Sequence, residues 1–171
     1  LPAGRRPDVN LKGFEAIVPA CASGSLDLVN FLLALQGSDA VDVHANREHA
    51  FVRACESGSL PLVRRLLSLT GERRIDVRQC GGRAFEAACD GAHYTVMEEL
   101  LSLQGDRSVC IRDECPRAFA ALCSHGDLAV VQRALALKGQ HVLNVNAHSD
   151  AAFQCACAQG HVATVRELLS L

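Results

Sequence analysis

The sequence predicts an all-α solenoid of stacked helix-turn-helix repeats, and three observations carry that prediction. Five cysteines, Cys21, Cys55, Cys89, Cys123 and Cys157, stand 34 residues apart. The same shift superposes Phe51, Phe85, Phe119 and Phe153, each after an alanine and with Ile17 in the first position, and it superposes Gly37, Gly71, Gly105 and Gly139. Within a copy the apolar residues fall at helical spacing on two segments. A fixed period of this size over nearly all of the 171 residues is the mark of a repeat array. The copies run approximately 8–41, 42–75, 76–109, 110–143 and 144–171, the last one truncated, and form a single domain.

The first helix of copy two is set by Ala50, Phe51, Ala54 and Cys55, at i, i+1, i+4 and i+5. Gly58 follows as a residue able to take positive φ and end the helix, and Pro61 suits the first turn of the next. Leu60, Val63, Leu66 and Leu67 then make the apolar stripe of the second helix. By translation, first helices are expected near 48–56, 82–90, 116–124 and 150–158, and second helices near 60–69, 94–103, 128–137 and 162–171. Each loop holds a glycine and an apolar-polar-apolar triplet such as Val41-Asp42-Val43 or Ile75-Asp76-Val77. Asn46 or Ser149 is a candidate cap for the first helix, with Glu48, Asp150 and Pro116 favourable in its first turn. The opening copy is expected to be the least regular, because Pro19 falls about four residues into its first helix.

Composition narrows function. Hydrophobic residues make up 49% of the chain, the formal charge is -2 and the isoelectric point is near 6.4. That balance argues against nucleic acid as a partner, since phosphate binding rests on clustered Lys and Arg. No run of 18 apolar residues occurs, so no membrane-spanning helix is expected, and Leu1 to Asn10 lacks the apolar stretch of a signal peptide. Nine cysteines, an odd number, read as reduced thiols of an intracellular protein, in the cytoplasm or the nucleus. The chain begins with Leu rather than Met and reads as a piece of a longer protein.

A period of 34 also belongs to tetratricopeptide repeats, but those are nearly all helix, whereas some ten residues per copy lie outside the helices here. The segment AFVRACESGSLPLVRRLL, Ala50 to Leu67, instead resembles the ankyrin repeat, whose pattern runs TPLHxAAxxGxxxVVxxLL. Ala54-Cys55 stands at its Ala-Ala, Gly58 at its turn glycine and Leu66-Leu67 at its paired leucines. The match recurs in all five copies. It departs at the TPLH start, which is His49-Ala50-Phe51-Val52 here. About three residues fewer separate Val43 from Phe51 than in the family pattern, so the usual β-hairpin finger is expected to be stunted.

Catalytic and metal chemistry find little purchase. Equivalent residues of stacked helices lie roughly 8–10 Å apart, too far for a chain of disulfides or for four zinc ligands about one point. The cysteine column is therefore expected to be small buried packing. Cys110, Cys115, Cys123 and His125 have a spacing that vaguely suggests zinc, yet Cys123 belongs to the buried column. Cys80 and Cys115 are read as loop residues, with exposed reactive thiols as the sharper alternative. No GxxxxGK[ST], GxGxxG, HExxH or GxSxG motif occurs, and near-uniform repeats offer no pocket where a nucleophile, a base and an orienting group converge. Arg64-Arg65, Arg73-Arg74 and Glu98-Glu99 read as solvated faces. No catalytic residue, metal ligand, cofactor or small-molecule substrate is expected.

What remains is surface. The ankyrin resemblance implies a protein partner bound on the concave side, through loop tips and the two residues before each turn glycine. It places Glu56, Ser57, Asp90, Ser124, His125 and Gln159 in that row, with Asn46, Gln79, Glu114 and His148 at the tips. These positions differ from copy to copy while the Phe, Cys and Leu columns repeat. The expected function is a protein-interaction module or scaffold, and the alternative is the targeting or regulatory segment of a larger enzyme or ubiquitin-ligase adaptor whose catalytic domain lies outside this chain. Copy five carries Val162, Val165, Leu168, Leu169 and Leu171 in the interior pattern, so a further repeat or capping helix is expected to follow it, with Phe153, Leu168 and Leu169 more exposed than their counterparts.

Overall fold

The computed structural model describes residues 10, 15–109, 117–137 and 151–171. They form five helix pairs: α1 Ile17–Ala22 and α2 Leu26–Ala34; α3 Ala45–Glu56 and α4 Leu60–Leu67; α5 Val77–Asp90 and α6 Tyr94–Ser102; α7 Ala118–His125 and α8 Leu128–Leu135; α9 Ala151–Ala158 and α10 Val162–Leu169. The first helices pack in sequence, α1 on α3, α3 on α5, α5 on α7 and α7 on α9. Second helices pack as α2 on α4, α4 on α6 and α8 on α10. All of these contacts join neighbouring copies, as a solenoid requires. No strand occurs among the described residues, and in place of a hairpin finger single 3-10 turns stand at Gly37–Asp39, Gly71–Arg73 and Gly105–Arg107.

The core follows the repeat columns. Phe51, Phe85 and Phe119 are fully buried, and so are Cys21, Cys55, Cys89 and Cys123. In the two fully described triplets both apolar members turn inward, Val41 with Val43 and Ile75 with Val77. Between copies, ordered side chains satisfy the last carbonyls of the second helices, which have no intrahelical partner. Arg73 Nη1 donates to Leu33 O at 2.7 Å and Arg107 Nη1 to Leu67 O at 2.8 Å. Across the exposed side of the second helices Arg64 pairs with Glu99, Arg133 with Glu98, Arg65 Nε donates to Asn30 Oδ1 and Gln132 Nε2 to Glu167 Oε2. The arginine and glutamate pairs read as solvated faces thus tie one copy to the next.

Several expectations are corrected. Helix α5 begins at Val77, five residues early, because Asp76 caps it by accepting from Arg78 N and because Gly81 lets the turn approach Val109, whose methyls would lie 3.1 Å from an added Cβ. Cys80 is consequently a buried helical residue, its Sγ donating to Asp76 O, rather than a loop thiol. Pro19 is the third residue of α1, in the first turn, where the missing donor costs no helical bond. Asn46 does not cap α3. Asn46, Arg47 and Glu48 form a left-handed turn with φ of 53°, 58° and 61°, a conformation that costs L-residues about 1–2 kcal/mol each.

Glu48 over-determines that turn. It is 3% exposed, and its Oε1 accepts from His44 Nδ1 at 2.7 Å and from Asp76 N at 3.1 Å. His44 Nε2 reaches Glu72 O at 2.6 Å. Both imidazole nitrogens therefore face acceptors, and the Glu48 hydrogen bond, outweighing partial burial, raises the His44 pKa above its ordinary value. Ser149, Asp150 and Pro116 lie outside the described residues.

Copy five differs as expected from its pattern. Phe153 is only partly covered, Leu168 is half-buried where Leu66 and Leu100 are fully buried, and Leu169 is 72% exposed. Cys157 is exposed as well, unlike the rest of its column. Among the described residues α9 has only α7 against it, as α1 has only α3, although Cys21 on α1 is fully buried.

Candidate functional site

Six of the ten residues expected to meet a partner lie where the first helices end. Glu56 is the last residue of α3 and Ser57 its C-cap, Asp90 closes α5, Ser124 and His125 close α7, and Gln159 follows α9. The turn glycines hold that geometry. Gly58 and Gly126 have φ of 72° and 73°, a region that costs any residue with a Cβ. Ala92 takes the same conformation at 54° in copy three without being glycine.

A ladder of histidines knits this row from copy to copy. His93 Nε2 bonds to Glu56 O, His125 Nε2 to Asp90 O and His161 Nε2 to Ser124 O, each at 2.9 Å. The turn glycines make room for it: a Cβ on Gly58 would lie 2.3 Å from His93 Nδ1, and one on Gly126 would lie 2.2 Å from His161 Nδ1. His93 and His161 were not among the expected site residues, although their recurrence just after the turn signals them. His125 reaches the same kind of acceptor from two residues earlier in its copy, in place of Asp127. It therefore belongs to the scaffold as well as to the row.

The side chains divide by what is already committed. Ser57 Oγ donates to Ala54 O at 2.8 Å and accepts from Ser59 N at 3.3 Å, so its hydroxyl serves the helix end. Glu56 is exposed and pairs with Arg53 on its own helix. Asp90 and Gln159 are exposed at the ends of α5 and α9. At the tips, Asn46 Nδ2 donates to Glu15 Oε1 at 3.4 Å from the left-handed turn. Gln79 lies in the first turn of α5, where its Nε2 donates to Asp76 Oδ2 at 2.8 Å. Glu114 and His148 lie outside the described residues. The row thus presents two carboxylates in copies two and three, an imidazole in copy four and a carboxamide in copy five.

The thiols do not join it. Burial pushes the Cys21 and Cys123 pKa values up to about 12 and raises that of Cys55 well above its ordinary value, so these sulfurs are protonated at neutral pH and poor nucleophiles. Of the loose zinc constellation, Cys110 and Cys115 lie outside the described residues, Cys123 is buried, and His125 is bonded to a backbone carbonyl. Among the described residues no three His, Cys, Asp or Glu side chains are grouped to hold a metal ion, and no helix is long and apolar enough to cross a membrane.

Compared with known proteins, residues 17–113 match the family model of ankyrin repeats in three copies. No curated protein and no solved structure matches the chain.

Proposed function

This chain belongs to the ankyrin repeat family, and on that premise we propose that it is a protein-interaction module whose partner lies along the row at the ends of the first helices. Ankyrin repeats are in general protein-protein interaction modules and typically non-catalytic. The single observation that carries the reading for this chain is the contrast within the row. Its backbone is tied from copy to copy by His93, His125 and His161, while the side chains at its surface, the carboxylates of Glu56 and Asp90 and the carboxamide of Gln159, are exposed. A rigid track with variable polar groups suits specific recognition of an extended surface. The row corresponds to the concave side of an ankyrin stack, and the tips at Asn46, Gln79, Glu114 and His148 would extend it. The reduced thiols agree with an intracellular setting.

The test is affinity capture with the chain as bait, followed by the same capture with Glu56→Ala, Asp90→Ala and Gln159→Ala combined. Ser57 and His125 are left intact because both serve the scaffold. A partner lost by the triple variant and kept by Thr95→Ala, an exposed change on α6, supports the reading. Equal recovery by wild type and triple variant overturns it.

A further inference from the structure

The seam between copies three and four departs from the others. At positions 32, 66, 100 and 168 the repeat places a leucine in the second helix, and at position 134 it places Ala134. Leu66 and Leu100 are fully buried in the neighbouring seams. Where the isobutyl group is missing, α6 and α8 border a half-open cleft of about 120 Å³ floored by Phe85 and walled by Met97, Leu101, Val130, Ala134 and Leu137. A void of about 150 Å³ with apolar walls is known to hold a guest the size of benzene, so this one has room for a group the size of the leucine side chain that fills the sister positions.

The charge arrangement at the mouth restricts the guest. Arg133 and Glu98 both line the opening and are bonded to each other across it. Neither sign is left over to recruit a counter-charge, and an ion placed against the apolar walls would lose its hydration uncompensated. The guest is therefore neutral and apolar, and the leucine that fills the sister positions sets its size and branching. We propose that the gap between α6 and α8 is a socket for a leucine side chain carried by a partner polypeptide. The socket lies on the second helices, away from the row at the ends of the first helices, and does not depend on that row being a binding surface.

Two reporters sit in the wall, since Met97 is the only methionine and Tyr94 the only tyrosine of the chain. Protein labelled with 13C at the Met97 methyl is titrated with N-acetyl-leucinamide, with N-acetyl-alaninamide, and with an alanine-glutamine helical peptide carrying one central leucine or none. The Met97 methyl signal should shift saturably with leucinamide, and the alanine analogue should be weaker by on the order of tenfold or more, since it lacks three buried carbons. The leucine peptide should act at lower concentration than leucinamide. Ala134→Leu, which installs the residue of the other copies, should remove the response while Tyr94 fluorescence reports an intact fold. A response that does not saturate, that is equal for alaninamide, or that survives Ala134→Leu overturns the socket. A response to leucinamide but not to the leucine peptide overturns the polypeptide assignment.

Discussion

Two seams of the same stack show how little of a repeat has to change for its behaviour to differ. Between copies two and three, Leu66 and Leu100 are fully buried, Arg64 pairs with Glu99 above them, Arg107 reaches back to Leu67 O, and Glu48 ties the loop of copy two to Asp76 of copy three. Between copies three and four the first helices still pack closely, with Phe85 and Phe119 buried, but the second helices part over Ala134. The ion pair at the rim persists and the apolar filling beneath it is gone. The ankyrin match, residues 17–113, covers the tight seams and stops short of the open one. Continuity of the stack thus resides in the first helices, and the second helices tolerate a defect.

Truncation in the first-helix column should cost the most. Phe85→Ala should destabilise by about 3–5 kcal/mol, as for other buried aromatics. Phe153→Ala, at the partly covered end, should cost less, roughly 1–2 kcal/mol, because part of its ring stays in water. Chemical denaturation of both variants measures the difference. Equal losses would mean that the last copy is packed as tightly as the third.

The turns provide an opposed pair of substitutions. Gly58→Ala should lose at least about 2 kcal/mol, from the left-handed backbone and from the contact with His93. Ala92→Gly, at the equivalent turn of copy three, should gain about 1 kcal/mol by relieving the same strain. If the two changes shift the midpoint in the same direction, the turn geometry assigned to one of these copies is wrong.

Filling the open seam should help. Ala134→Leu is expected to raise stability by about 1–2 kcal/mol, in the range of other cavity-filling changes. The corresponding removal in the tight seam, Leu66→Ala, should cost about 2–5 kcal/mol.

The smallest effect is pH-dependent and confined to the tight seam. His44 is held by Glu48 on one side and Glu72 O on the other, with Asp42, Asp76 and Glu15 also about the turn. Its folded pKa is raised above the unfolded value of about 6.5. A raised folded pKa means that the stabilisation is fully present below about pH 6.5 and is lost as pH rises through the folded value. Denaturation between pH 6 and 9 should show this loss in the wild type and not in His44→Gln.

Most of the stack was legible in the sequence because a 34-residue period fixes which residues face the same way in every copy. Phe51, Phe85, Phe119 and the cysteines beside them are buried for that reason. The early start of α5 was not legible, since Arg78-Gln79-Cys80-Gly81-Gly82 has no helical periodicity, and only the contact with Val109 explains Gly81. The left-handed turn at Asn46 to Glu48 was hidden because its cause, a carboxylate bonded to His44 and to the next copy, is tertiary. Of the candidate site, the row at the helix ends was read from the repeat, yet the commitment of Ser57 and His125 to scaffold bonds was not. The recurrence of His93 and His161 just after the turn marks them in the sequence, but their bonds to Glu56 O and Ser124 O depend on the distance from one turn to the next. Cys157 shows the converse limit, since the same residue in the same column is exposed in copy five.

The stack is joined seam by seam, and the seam over Ala134 is its loosest interior joint among the described residues. Native-state hydrogen exchange on wild type and Ala134→Leu tests this most directly. In the wild type, protection should fall from α5 and α6 to α7 and α8 and again to α9 and α10, as expected when nearest-neighbour interfaces set local opening. Ala134→Leu should raise protection in 118–135 and 151–169 while leaving 45–67 unchanged. Uniform protection from 45 to 169, unaltered by Ala134→Leu, would contradict the account.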